Sequence, residues 1–110
     1  MALPPLDDAD RARARERALA SRRTRAEWKA RLTRGEADLD GLLAASDADD
    51  ALAGMRVADA VGALPGVGPR GVERILAACG IAPTRRLRGL GPRQRAALTA
   101  SDGPAARSGT

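Results

Sequence analysis

Hydrophobic residues recur with helical spacing in four short segments of the chain, and no segment shows the alternation of apolar and polar residues typical of a half-buried strand. These segments lie at 39–43, 52–55, 57–64 and 72–79. Aspartates that can cap a helix precede the first two, at Asp38 or Asp40 and among Asp47, Asp49 and Asp50. The pattern therefore predicts an all-α fold.

Local signals predict where the later helices begin and end. Pro69 suits the first turn of the helix that contains segment 72–79, and Gly80 suits its end. Ile81 is expected to pack just beyond that end. Pro92 can begin a last helix.

A much longer helix is predicted at the start of the chain. Asp7 or Asp8 can cap it, and neither glycine nor proline follows until Gly35. At ~1.5 Å per residue, such a helix is about 42 Å long. Its larger apolar side chains lie late, so Trp28 and Leu32 are predicted to dock on the core while residues before about 15 project away from it.

A chain of 110 residues favours one small domain. Residues 1–6 and 101–110 are predicted to be disordered, which leaves a single helical domain at 7–100. Within this domain, residues 7–35 form the long basic helix and residues 36–100 form a small aliphatic core.

Charge is distributed unevenly. The chain has 19 Lys and Arg residues against 14 Asp and Glu residues, a net charge of +5, and Lys29 is its only lysine. Residues 1–36 carry +4, residues 37–62 carry −5 and residues 63–100 carry +6. Arginine binds phosphate in a bidentate manner and enters narrow minor grooves, so this excess favours a polyanionic partner with an acidic segment facing away from it.

Several functional classes are disfavoured by what the sequence lacks. With no His and one Cys, the chain alone cannot build a structural zinc site or a disulfide, and we expect no metal and no other cofactor. Cys79 lies on an apolar helical face and is expected in the core. No apolar run approaches about 20 residues, so no membrane partner is expected, and the single Cys fits a reducing cytoplasm.

A glycine-rich hairpin lies between two apolar segments. Its glycines allow close backbone approach to an anion, and the start of the following helix leaves N–H groups unpaired beside the positive end of the helix dipole. We expect phosphate to accept from the N–H groups of Val67, Gly68, Arg70 and Gly71. The alternative is a plain helix–helix turn. The hairpin comprises Leu64, Pro65, Gly66, Val67, Gly68, Pro69, Arg70 and Gly71.

Two further basic features can contact phosphates. In the loop 83–91, three arginines lie within four residues, and Leu87 and Leu90 can hold the loop on the core. On the long helix, five cations fall on one narrow arc while Glu16 and Glu27 fall opposite. For both features the alternative is a solvated surface. The basic arc comprises Arg11, Arg15, Arg22, Arg25 and Lys29.

The order of these features resembles the actinobacterial integration host factor family over residues 3–100. The matching residues are the arginine-rich segment 22–32, the hairpin run 64–68 and, most specifically, the run 81–91 followed by Arg93, Gln94 and Arg95. The resemblance implies a long helix on a helix-two-turns-helix core. It also implies a nucleoid-associated protein that binds double-stranded DNA with little sequence preference, bends it and affects its topology and compaction.

The resemblance also implies roles for particular residues. The hairpin contacts phosphates, and a lid covers the DNA. The long helix offers a second DNA surface through Arg15, Arg22, Arg25 and Lys29. We expect a monomer in the cytoplasm, on the nucleoid. The lid comprises Ala82, Pro83, Thr84, Arg85, Arg86, Leu87, Arg88, Gly89, Leu90, Gly91, Pro92, Arg93 and Gln94.

Two other functions remain open from the sequence. Small ribosomal proteins of the S13 type share such a hairpin followed by a basic turn, so a protein that binds structured RNA is the main alternative. Helix-hairpin-helix glycosylases and lyases resemble the hairpin too, but they need a lysine where this chain has Arg70 and an aspartate where it has Arg88. Arginine stays protonated and is a poor nucleophile, so we expect no enzyme.

Overall fold

The computed structural model describes residues 7–100 and forms six α-helices and one 3-10 turn. The predicted disorder of residues 1–6 and 101–110 lies outside the described residues. The elements in chain order are α1 (Asp8–Thr33), α2 (Leu39–Ser46), α3 (Asp50–Ala53), α4 (Val57–Gly62), α5 (Gly68–Ala78), the 3-10 turn (Leu87–Gly89) and α6 (Pro92–Thr99). The predicted all-α class is confirmed.

Helix α1 begins and ends where its sequence signals indicate. The Asp7 carboxylate accepts from the N–H of Asp10 at 2.7 Å, and the Asp10 carboxylate accepts from the N–H of Asp7. Both N–H groups, which have no partner within the helix, are thereby hydrogen-bonded. At the other end Gly35 adopts φ +73°, and the N–H of Glu36 donates to the Arg31 carbonyl at 2.9 Å. This left-handed glycine turns the chain back after 26 helical residues.

Only the C-terminal part of α1 joins the core. Leu32 is completely buried and Trp28 packs beside it, whereas Leu19 is 49% exposed. The helix packs on α3 and α4 through this end, and its N-terminal half contains no buried residue. The longest dimension of the described chain is therefore 51 Å, against 25 Å for the shortest.

The core is aliphatic and lies among the C-terminal end of α1 and the short helices. Aspartate caps start α2 and α3: Asp38 accepts from the N–H of Gly41 at 2.8 Å and Asp49 from that of Ala51 at 2.9 Å. Burying aliphatic side chains offsets the low intrinsic stability of such short helices. The buried apolar residues are Leu32, Leu39, Leu42, Leu43, Leu52, Met55, Val57, Ala60, Val61, Val67, Ile75, Leu76, Cys79, Ile81, Leu87 and Leu98.

The end of α5 and the position of α6 complete the domain. Gly80 has φ +68°, and the N–H of Ile81 donates to the Leu76 carbonyl at 2.9 Å, as expected for a glycine helix end. Arg95 on α6 makes two hydrogen bonds of 2.9 Å to the Asp47 carboxylate at the end of α2. This bidentate pair links the last helix to the second.

Replacing Leu32 by Ala should lower the free energy of unfolding by about 2–5 kcal/mol, because a fully buried side chain leaves a cavity. The matched control is Leu19→Ala on the same helix, which should change it by less than about 0.5 kcal/mol. Urea unfolding followed by circular dichroism measures both. Equal losses would show that α1 does not dock through its C-terminal end.

The Arg95–Asp47 pair predicts a specific pH dependence. Hydrogen bonds from Arg95 hold the pKa of Asp47 below its ordinary value, so the pair stabilises the fold above about pH 4 and its contribution is lost as the pH falls further. Asp47→Asn should therefore lower the melting temperature at pH 6, and the difference from the unmodified protein should shrink below about pH 4. A difference that stays constant down to pH 2 would contradict this role.

Candidate nucleic-acid interface

The hairpin connects α4 to α5 through two residues with left-handed backbone. Gly66 has φ +76° and Gly68 has φ +64°, a region that costs other residues about 1–2 kcal/mol. Val67 is buried and Leu64 packs against the core, while Pro65 and Gly66 are exposed. The core thus holds the hairpin by its two apolar residues and leaves its tip in solvent.

The N–H groups of Gly68 and Arg70 remain available for an anion. The N–H of Val67 donates within the hairpin to the Leu64 carbonyl at 3.4 Å, which removes it from the set. The N–H groups of Gly68 and Arg70 at the start of α5 donate to no carbonyl or side chain within residues 7–100, and Pro69 has no N–H. Both donors sit at the positive end of an 11-residue helix.

Gly71 has a packing role at the base of the hairpin. A Cβ atom there would lie 3.0 Å from Cγ1 of Val67, so glycine lets the first turn of α5 close over that buried valine without displacing it. The end of α1 supports the same region, because the Thr33 hydroxyl donates to the Ala63 carbonyl at 2.7 Å. The hairpin is therefore held from both sides.

The first half of the lid pairs with the turn between α3 and α4. The N–H of Val57 donates to the Arg85 carbonyl and the N–H of Leu87 to the Met55 carbonyl, each at 2.9 Å. Leu87 is buried and begins the 3-10 turn, and Leu90 packs against the core. The sequence predicted a loop held by these two leucines; it did not predict the pairing, which joins segments about 30 residues apart.

The lid arginines differ in how they are held. Nη1 of Arg85 donates to the Gly89 carbonyl at 3.0 Å within the lid, and Nη1 of Arg86 donates to the Gly54 carbonyl at 2.5 Å. Arg88 and Arg93 are exposed, and neither makes a side-chain hydrogen bond or an ion pair in the described part of the chain. The guanidinium groups of Arg88 and Arg93 are therefore fully available to a partner.

Gln94 stabilises the lid from within. Its Nε2 donates to the Gly80 carbonyl at 2.6 Å, and its Oε1 accepts from the N–H of Gly91 at 3.1 Å. The side chain thus caps α6 and joins the end of the lid to the end of α5. These two bonds give Gln94 a positioning role, and because its amide keeps a second N–H donor, the predicted DNA contact stays a prediction.

The basic arc of α1 is divided by the fold. Arg15 and Arg22 are exposed, and Lys29 is half-buried. Arg25 is half-buried as well, and its Nε donates to the Ala51 carbonyl of α3 at 2.7 Å. This hydrogen bond anchors α1 on α3 and uses one of the five donors of the Arg25 guanidinium, so DNA contacts by Arg15, Arg22, Arg25 and Lys29 stay predictions.

Trp28 faces the core side of α1. It packs against the buried cluster, and the Arg31 guanidinium lies over its ring at 4.3 Å from the centroid. This cation–π contact occupies one face of the indole. The arrangement agrees with the predicted core anchor and leaves less of the ring for stacking on a base.

Sequence reasoning missed Arg56. This exposed residue precedes α4 and lies opposite Arg86 in the pairing between the lid and the α3–α4 turn. It is the only basic residue in the acidic segment 37–62. Because the net charge was summed over that whole segment, Arg56 was predicted to face away from a polyanionic partner. No local pattern could have revealed its neighbour, because the pairing spans 30 positions.

The described residues form neither a metal site nor a membrane span. No group of three or more His, Cys, Asp or Glu residues in the span 7–100 is arranged to hold a metal ion. Among the helices described, none combines the length and apolar character needed to cross a membrane. Burial raises the pKa of the Cys79 thiol, in keeping with a core residue.

Comparison with known proteins identifies relatives over nearly the whole chain. The S13-like H2TH domain family matches residues 32–101. Integration host factor of Mycobacterium tuberculosis is 50% identical over 105 residues, which cover 96% of this chain and 100% of that protein. The homologue from Mycolicibacterium smegmatis is 51% identical over 98 residues (89% and 93%), and that from Streptomyces coelicolor is 43% identical over 98 residues (89% and 92%).

A solved structure has the same fold. It shows sIHF bound to an 8-bp palindromic DNA, with a TM-score of 0.76 and 39% identity, and the match covers 80% of this chain and 99% of that one. The predicted fold, a long helix on a helix-two-turns-helix core, is thereby confirmed. The resemblance noted in the sequence is confirmed as well: the chain has an S13-like H2TH domain and belongs to the integration host factor family of actinobacteria.

Proposed function

We propose that this chain is an architectural protein that binds double-stranded DNA through backbone phosphates with little sequence preference. The observation that carries the proposal is the fold shared with sIHF, which was solved bound to DNA, together with an exposed arginine lid on that fold. Contacts from backbone N–H groups and arginines to phosphate position a protein without reading bases. A polyanion also suits the net charge of +5.

The hairpin supplies the first phosphate contact in this proposal. A phosphate oxygen accepts from the N–H groups of Gly68 and Arg70, and the dipole of α5 adds favourable electrostatic energy. The exposed, left-handed Gly66 and Gly68 present no side chain, so the phosphate can approach the backbone closely. Every nucleotide offers the same phosphate, which makes this contact independent of sequence.

The lid supplies the second contact. Arg88 and Arg93 lie on a segment that buried Leu87 and the pairing with the α3–α4 turn already hold in place. Less conformational entropy is lost on binding than with a free basic tail. The arginines can follow a phosphate track or enter the minor groove.

We propose that the chain bends DNA, since its two patches lie on one domain. The hairpin lies at one end of α4 and the lid pairing at the other, and six helical residues span about 9 Å. DNA that touches both patches gains contacts that offset the cost of deformation. We extend the proposal to effects on DNA topology and compaction and to a location on the cytoplasmic nucleoid. We also propose that the binding unit is a monomer, since one chain carries both patches.

The exposed cations of α1 fit a contact with a second duplex. Arg15 and Arg22 are exposed on α1, and Arg15 lies in the N-terminal half of the helix, which contains no buried residue. Lys29 is nearer the core and half-buried, so we assign it a smaller part. A protein that bridges two duplexes would compact DNA without any oligomer.

A catalytic role receives no support from the residues at the hairpin. Arg70 and Arg88 occupy the places where helix-hairpin-helix lyases carry a lysine and an aspartate, and a protonated guanidinium cannot attack an abasic sugar. We therefore propose a binding protein without enzymatic activity.

Structured RNA is the second candidate ligand, and the S13-like class of the matching domain favours it. The phosphate contacts described for DNA could serve an RNA backbone equally well, because neither the hairpin nor the lid reads a base. Duplex DNA and structured RNA differ in helical form, and the spacing between the patches should fit one form better than the other. Competition binding between the two nucleic acids tests which one it fits.

Binding to duplex DNA should depend strongly on salt. If the patches contact five to eight phosphates, the slope of log K against log salt should be about −4.5 to −7 for duplexes of unrelated sequence. Fluorescence anisotropy measures it, with a structured RNA as competitor at one fixed salt concentration. A slope near zero would contradict the proposal, and stronger competition by RNA than by an equal length of unlabelled duplex would favour the RNA candidate.

Gly68→Ala should weaken DNA binding about tenfold, because a left-handed alanine displaces the N–H groups that bind phosphate. Gly35→Ala is the matched control: Gly35 has φ +73°, and at both glycines a Cβ meets no atom within 4 Å. Both variants should lose about 1 kcal/mol of stability, but only Gly68→Ala should lose affinity. Equal affinities for the two variants would exclude the hairpin from the interface.

A further inference from the structure

Arg56 and Arg86 lie directly opposite each other in the backbone pairing between the lid and the α3–α4 turn. The hydrogen bonds from Val57 to Arg85 and from Leu87 to Met55 flank the pair, which makes it a non-hydrogen-bonded antiparallel pair. In such pairs the Cα atoms are only about 4.5 Å apart and the side chains leave the backbone on the same face. Like charges placed directly opposite destabilise the pairing.

No carboxylate in the described chain neutralises these arginines. The ion pairs between residues 7 and 100 use Arg11, Arg13, Arg34 and Arg95, and neither member of the facing pair. Arg25 of α1 adds a third guanidinium nearby, with Nη2 3.1 Å from where a Cβ of Gly54 would lie. Positive charge is therefore concentrated around the α3–α4 turn, inside a segment whose net charge is −5.

Helix capping accounts for only part of this cluster. Arg25 donates to the Ala51 carbonyl and Arg86 to the Gly54 carbonyl, so both satisfy orphan acceptors at the end of α3. Arg56 makes no side-chain hydrogen bond within the described residues and stays exposed. Its position beside Arg86 thus has a cost in the free protein and no structural benefit there.

We propose that Arg56, together with the free donors of Arg86, binds a backbone phosphate of the DNA. Each guanidinium carries five donors, and the Arg86 group has one committed to Gly54, so two groups on one face can hold a phosphate between them. The site continues the lid, because Arg85 and Leu87 of the lid flank Arg86 and form the pairing itself. This inference rests on the proposed function and enlarges the DNA surface onto the acidic segment.

The test is Arg56→Gln, which keeps a long polar side chain and removes the charge. For this variant the slope of log K against log salt should become less steep by about 0.9. The ratio of the affinity of the unmodified protein to that of Arg56→Gln should therefore fall about 3.5-fold between 50 and 200 mM salt. Arg34→Gln is the control, since Glu36 already neutralises Arg34 through two hydrogen bonds. Arg56→Lys should keep the original slope, because an ammonium group also displaces one counterion.

A measurement on the free protein separates a ligand site from a structural role. Arg56→Gln should raise the melting temperature at low salt, because it relieves the repulsion from Arg86. If the unmodified protein binds normally, two results would overturn the inference about Arg56 and leave the proposed function standing. These are lowered stability of Arg56→Gln, or a salt slope of Arg56→Gln equal to that of Arg34→Gln. Failure of the unmodified protein to bind duplex DNA would overturn the proposed function as well.

Discussion

The position of the lid depends on two backbone hydrogen bonds between segments far apart in sequence. The N–H of Val57 binds the Arg85 carbonyl and the N–H of Leu87 binds the Met55 carbonyl, while the Leu87 side chain enters the core. Without this pairing, the arginines of the lid would lie on a solvated loop with many orientations. With it, their side chains leave a backbone that the core has already ordered, and the loss of entropy on binding is reduced.

Helix α4 lies between the two patches that we propose bind phosphate. Its buried residues Val57, Ala60 and Val61 fix it against the core, with the lid pairing at its start and the hairpin after its end. The six residues of α4 span about 9 Å, a length of the same order as the groove widths of B-DNA, about 6 and 12 Å. Contacts to phosphates, rather than to bases, account for the sequence-independent binding that we propose.

Local rules predicted the helices well because each signal acts within a few residues. The Asp7 cap, the left-handed Gly35 and Gly80, and Pro92 at the start of α6 all lie where the sequence placed them. Arginine roles were harder to predict, because a guanidinium reaches any carbonyl that the fold brings near. Arg25 binds a carbonyl 26 residues away and Arg86 one 32 residues away, and no periodicity records either contact.

The central claim is that hairpin and lid together bind phosphates of any duplex. The most direct measurement is amide chemical-shift mapping by NMR while duplexes of two unrelated sequences are added. We predict that the amides of Gly68 and Arg70 and the side chain of Arg88 shift with both duplexes, whereas the amides of α2 do not. Shifts confined to α1, or shifts at the hairpin and lid with one sequence only, would contradict the claim.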